Sequence, residues 1–331
     1  CRRPVGGSLF ARAGAVNLST PSQSVVDGLF GVGGSVNSQS LGQIIDGTAG
    51  RGTGNIDMRG QIVADDRIRM RGGGTILIDG TMGVGPGGNI DIDGHGNVRF
   101  GANAHVHTGT TARGSVRVRS QADITLEPGA RVLSQSTGSG QAGDIDMFAE
   151  GSAYLQSGAT ISAAALGDGQ AGTVRFSAQN NVEALGDIEA YSVSGLNGQI
   201  RLEQINLSLS SMNTQGADFV AIASERITLL EGETISTVSG SNAGDVTMIA
   251  PHIELAADSA ILTRPINGIS GDITIEARLD DRLDDPEDAP GDLEANALPW
   301  GHATLIISGA VIAGGDVTLK ATSFKDNLVN A

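Results

Sequence analysis

The chain has few of the residues that ordinarily staple or fill a globular domain. Its 331 residues include one cysteine, Cys1, so no internal disulfide can form. Aromatic residues make up 3% of the chain, too few for a conventional core, whereas a narrow interior of Val, Ile, Leu and Ala needs none. No apolar run reaches the roughly 18 residues of a membrane span. The closest approach, residues 305–313, is interrupted by Ser308 and Gly309. Positive charge is also scarce: 21 Lys and Arg stand against 37 Asp and Glu, a net charge of −16. That balance opposes nucleic acid and anionic membrane surfaces, where basic residues must neutralise phosphate. With neither an initiator Met nor the apolar stretch of a signal peptide, the chain reads as a processed or excised piece. Cys1 suits a lipidated first residue or a plain fragment end, and Arg2-Arg3 is an odd sequel for the former.

Glycine is abundant, at 49 residues, and it is ordered. Gly143-Asp144-Ile145-Asp146-Met147 returns as Gly172-Thr173-Val174-Arg175-Phe176, with the same succession of glycine, polar, apolar, any and apolar residues. The succession also begins at Gly88, Gly114, Gly198, Gly244, Gly271 and Gly315. Leading glycines step by 26 (88 to 114), 29 (114 to 143), 29 (143 to 172), 26 (172 to 198) and 27 (244 to 271). The gaps 198–244 and 271–315 each leave room for one imperfect or enlarged unit. A fixed period in this range signals a solenoid whose units cannot bury their apolar faces alone.

Each unit carries three short alternating runs separated by Gly, Ser, Asn or Asp. After Gly143 they are Ile145/Met147, Tyr154-Leu155 and Ala159/Ile161; after Gly114 they are Val116/Val118, Ile124/Leu126 and Ala130/Val132. The spacing of a helix is missing from these runs. Three strands per turn predict an all-β, triangular parallel β-helix (a β-solenoid) of about 26–29 residues per coil, about twelve coils and on the order of 60 Å long. Residues 1–50 fit least well and read as an N-terminal cap or irregular first coils; residues 51–277 form the regular β-helix. Residues 278–302, acidic and containing Pro286, Pro290, Pro299 and the single Trp300, read as a loop inserted between coils. Residues 303–331 give the last coils and a C-terminal tail.

Alternation also assigns the outward residues. Asp91, Arg117, Asp146 and Arg175 fall between inward pairs and predict a ladder of alternating charge whose main value is register. His105 and His107 share one strand face, as a metal pair requires, but Ala104 and Val106 match inward positions, so both imidazoles point to solvent. Asp91-Ile92-Asp93-Gly94 resembles the start of a calcium loop and lacks the later bidentate Glu. Asp284 and Asp285, in the acidic insertion with Asp280, Asp281, Glu287 and Asp288, offer a second calcium candidate or a contact for a basic partner, but a charge run bounded by prolines is more often a solvated loop. Catalysis on a polysaccharide would need carboxylates converging on one face, and few aromatics are present to stack on sugar rings. Thr247, Thr274 and Thr318 fall at equivalent outward positions, but their column is charged upstream, which disfavours an ice-binding face.

The units at 143–149, 244–250 and 271–277, with Ser157-Gly158-Ala159-Thr160-Ile161-Ser162-Ala163, resemble the repeats of filamentous-haemagglutinin-like exoproteins of two-partner secretion. The resemblance covers roughly residues 54–319. It implies a right-handed parallel β-helix exported by a Gram-negative cell and displayed on or shed from its surface, with roles in adhesion, aggregation and biofilm. The Asn-Pro-Asn motifs of that family's secretion domain are missing, and no site residue carries over. The expectation is a non-enzymatic extracellular structural protein without a cofactor. Its partners would be further copies joined end to end or laterally, or a host or matrix glycan or protein. The alternative is a β-helical polysaccharide lyase or glycoside hydrolase.

Overall fold

The computed structural model describes residues 55–64, 66–239, 243–265, 268–278 and 303–321 with their side chains. It also gives the backbone of strands within residues 5–40 and of Ser323–Asp326. Cys1 and the stretches 41–54 and 279–302, with Asp280, Asp281, Asp284, Asp285, Glu287, Asp288 and Trp300, lie outside the described residues. Among the described residues every element is a strand, and the strands stack in parallel as a β-solenoid.

Three columns of strands run along it. The first holds Val16–Thr20, Ser35–Ser40, Arg67–Gly72, Asn89–Gly94, Val116–Ser120, Ile145–Ala149 and Thr173–Ala178, continuing to Val317–Ala321. The second includes Asn55–Met58, Ile76–Ile78, Val98–Phe100, Ile124–Leu126 and Ala153–Leu155. The third is divided: one ladder of eight strands ends at Asp187–Glu189, and a separate ladder of four begins at Met212–Asn213. The strands Gln199–Leu209 and Asp218–Leu229 serve the first and second columns in one run.

Like stacks on like. Ile90, Val116, Ile145, Val174, Ile200, Phe219, Val246, Ile273 and Val317 pair rung by rung, and those from Ile90 to Ile273 are buried. Burying each such side chain contributes roughly 1.5–3 kcal/mol, so these columns supply the drive to fold. The unit within the gap 198–244 starts at Ala217, alanine in place of glycine. The coil before it, opened by Gly198, is short, Ile200 pairing Phe219 over 19 residues (219 − 200), whereas the Ala217 coil spans 27 (246 − 219). The gap 271–315 is one enlarged coil. Ile273 pairs Val317 over 44 residues (317 − 273), and the added chain lies between its first strand, Ile273–Ala277, and its second, Thr304–Ile307. In the Gly143 coil the second strand is Ala153–Leu155, with Ala153 and Leu155 buried and Tyr154 outward.

The glycine and the polar residue that open each unit have separate causes. A Cβ at Gly143 would overlap the carbonyl oxygen of Gly114; Gly172, Gly198 and Gly271 stand in the same relation to Gly143, Gly172 and Gly244. The coils therefore approach too closely there for any side chain. The Asp or Asn that follows accepts a backbone N–H from the next coil. Thr173 N donates to Asp144 Oδ1 at 2.9 Å, Asp245 N to Asp218 Oδ1 at 2.9 Å, Asp272 N to Asp245 Oδ1 at 2.8 Å and Asp316 N to Asp272 Oδ1 at 2.8 Å. The side chain thus extends the ladder one residue before the strand and satisfies a donor at the corner. Buried hydroxyls do related work where the third strand leaves: Thr237 Oγ1 donates to Gly244 O at 2.6 Å and Thr263 Oγ1 to Gly271 O at 2.7 Å.

Candidate contact surface on the first-strand column

The outward side of the first column carries two rows of mixed residues. Arg69, Asp91, Arg117, Asp146, Arg175 and Arg201 pair in sequence along it, and Arg71, Asp93, Arg119, Phe148, Ser177 and Glu203 form a parallel row two residues on. The four expected ladder residues are therefore in register. Three ion pairs on this face run diagonally, Arg67 to Asp91 at 3.9 Å, Arg119 to Asp146 at 2.5 Å and Arg175 to Glu203 at 2.5 Å, while Arg71 meets Asp93 straight across at 3.8 Å. Each pair at this exposure contributes at most about 1 kcal/mol, so register remains the main effect.

The character of the face changes along the axis. Arg67, Arg69, Arg71, Arg117 and Arg119 surround Asp91 and Asp93 in a shallow depression of about 290 Å³. The guanidinium of Arg119 also lies 5.3 Å from the ring centre of Phe148. Further on, Val220, Ile222, Thr247, Ile249 and Thr274 carry no charge, before Glu276 and Lys320 follow in the same row. Glu203 sits where the character changes. Burial pushes its carboxyl up, but hydrogen bonds from Arg201 and Arg175 outweigh that and hold it below the usual range. Asp218 behaves oppositely: burial, with the like charge of Asp245, raises it despite the hydrogen bond from Asp245 N.

His105 and His107 project outward from a strand whose Ala104 and Val106 are buried, with ring centres 5.1 Å apart and edge-on. The neighbouring rungs offer Thr81 and Gly83 on one side and Arg131 and Leu133 on the other. Burial, then the neighbouring His107 and Arg131, lower the His105 pKa. Asp91 and Asp93 face Arg67 and Arg71, away from the histidines' column. Among the described residues no three His, Cys, Asp or Glu side chains gather as a metal would require.

Sequence reasoning passed over Glu203, Gln204 and Ile205. The alternation that begins at Gly198 slips phase here, and the strand pairing shifts register between Gln204 and Asn206. Gln204 is 7% exposed; its Oε1 accepts the Val182 N–H, while its Nε2 has no partner.

No family model matches the chain, and no curated protein or solved structure matches it. Among the described residues, no helix is long and apolar enough to cross a membrane.

Proposed function

We propose that the protein is a non-enzymatic extracellular structural element of a Gram-negative cell surface, either the shaft of an adhesin or a subunit of a self-associating filament. The observation that supports this reading is the first column of parallel strands, from Val16–Thr20 to Val317–Ala321, whose backbone repeats rung after rung. Such a column offers area for lateral contact, and each strand ladder offers backbone groups for end-to-end addition. Electron microscopy of the purified chain tests the filament form: fibres longer than one chain support it, and isolated short rods at every concentration refute it.

The depression of Arg67, Arg69, Arg71, Arg117 and Arg119 around Asp91 and Asp93 favours a second reading, a β-helical lyase or hydrolase of polysaccharide. Its carboxylates are paired to arginine, which argues against either acting as a free base. Incubation with a panel of acidic and neutral polysaccharides decides between the two. New reducing or unsaturated ends establish the enzyme; unchanged polymers leave the structural reading.

A further inference from the structure

The register slip at Gln204 coincides with a gap in the outward row of the first column. Phe148, Ser177, Glu203 and Ile222 occupy successive rungs of that row. Ser177 is the small member, and it is 3% exposed although it stands on the outward side. Its hydroxyl turns back to Met147 O at 3.2 Å. The result is a notch of about 240 Å³ with Ser177 and Ala178 among its lining, Phe148 to one side and Glu203 to the other. Two rungs separate those sides, roughly 9.6 Å at the usual strand spacing. Of the four phenylalanines with described side chains, Phe100, Phe176 and Phe219 fill the interior, and Phe148 alone is outside. Arg119 lies over its ring, and its neighbour on the next rung is the short Ser177.

Gln204 also lines this notch. Its Oε1 is taken by the Val182 N–H, and its buried Nε2 is one of two buried side-chain polar atoms without a partner among the described residues. Buried donors are nearly always satisfied, and this one, on a residue that lines the notch, has no acceptor within the described chain. Arg175 and Glu203, paired at 2.5 Å, provide a donor and an acceptor on the same rim, and Ser224 adds a hydroxyl.

This combination selects by exclusion. An anion meets the Glu203 carboxylate, and a cation meets the Arg175 guanidinium. An alkyl chain or a partner's phenyl ring leaves Gln204 Nε2 unsatisfied. A metal finds one carboxylate. What remains is an uncharged ring with an apolar face and a hydroxyl-bearing edge. We infer that the notch between Phe148 and Glu203 is a binding site for one neutral pyranose residue of a glycan, its C–H face against Phe148 and its hydroxyls on Gln204, Glu203 and Arg175. The notch is open to the outer surface, so the residue can belong to a longer chain. This site is independent of whether the protein forms fibres.

Saturation-transfer NMR on the intact chain, with the methyl glycosides of glucose, galactose, mannose and N-acetylglucosamine as probes and methyl glucuronide as the charged control, tests the assignment. At least one neutral glycoside is expected to bind saturably and the glucuronide more weakly. Phe148→Ala, an outward substitution, should weaken that binding tenfold or more with an unchanged circular-dichroism spectrum. Ser177→Val, which fills the notch, should abolish it. Absence of binding by all four neutral glycosides overturns the assignment. So does binding that persists unchanged in folded Phe148→Ala; because that variant alone is decisive, failure of Ser177→Val to fold leaves the test intact. Concentration-dependent self-association blocked by Ser177→Val, without sugar binding, would assign the notch to a second copy and equally overturn it.

Discussion

Replacing Gly143 by alanine places one methyl group where the structure has none to spare. The obstacle is the Gly114 carbonyl oxygen, followed by Ser134 Oγ, and backbone cannot rotate away as a side chain can. The coil must move or the neighbouring rung must open. Overpacking of this kind costs about 1–3 kcal/mol. Ser134 Oγ donates to the same Gly114 oxygen at 2.6 Å, and disturbing that buried bond adds about 1 kcal/mol. The expected loss is therefore roughly 3 kcal/mol, or about a hundredfold at 1.4 kcal/mol per factor of ten. In a solenoid each coil contacts its neighbours, so the loss should be local. Hydrogen exchange read by mass spectrometry should show about hundredfold lower protection for the amides of Val116–Ser120 and Ile145–Ala149, with distant coils unaffected. Gly138→Ala is the control, because a Cβ there meets nothing within 4 Å; its effect should stay within about 0.5 kcal/mol. Equal protection in the two variants would show that close approach does not dictate the glycine column.

Other expectations follow from the same geometry. Asp144→Ala leaves the Thr173 N–H without its acceptor and should cost about 1–2 kcal/mol in urea unfolding, whereas Asp144→Asn, which keeps an acceptor, should cost less than half of that. Phe176→Ala empties a fully buried site and should cost about 3–5 kcal/mol by the same assay. The raised Asp218 pKa means that its contribution is fully present below the ordinary Asp range, on the order of pH 4, and is lost as pH rises through the folded value. Asp218→Asn should accordingly match the parent in acid and exceed it at neutral pH. The depressed Glu203 pKa has the opposite sign: its contribution is present at neutral pH and is lost as pH falls through the folded value, below the usual Glu range. Glu203→Gln should therefore be the less stable chain at neutral pH and converge with the parent in acid, by thermal unfolding at each pH.

The architecture was legible because burial is periodic. Ile145, Met147, Val174 and Phe176 alternate with polar residues in units that leading glycines align, and their inward placement follows from that alone. The unit at Ala217 escaped because it carries alanine where the others carry glycine. The ladder residues Asp91, Arg117, Asp146 and Arg175 were readable as a row, but their partners were not, since a guanidinium can reach a carboxylate on either neighbouring rung. The work of Asp144 and Asp218 was also hidden. Nothing in a single unit shows that a side chain reaches an N–H one coil away. The notch needed both the size difference between Ser177 and its neighbours and the slip at Gln204, two signals that lie in different coils.

The division of the third column between Glu189 and Met212 gives the molecule a weak direction. Tension along the axis is carried by three sets of inter-rung bonds on either side of this level and by two across it. Bending is correspondingly easier toward the side where the set is interrupted. Among the described coils, pulling along the axis would open this level before the others, letting one segment tilt against the other while both keep their own stacking.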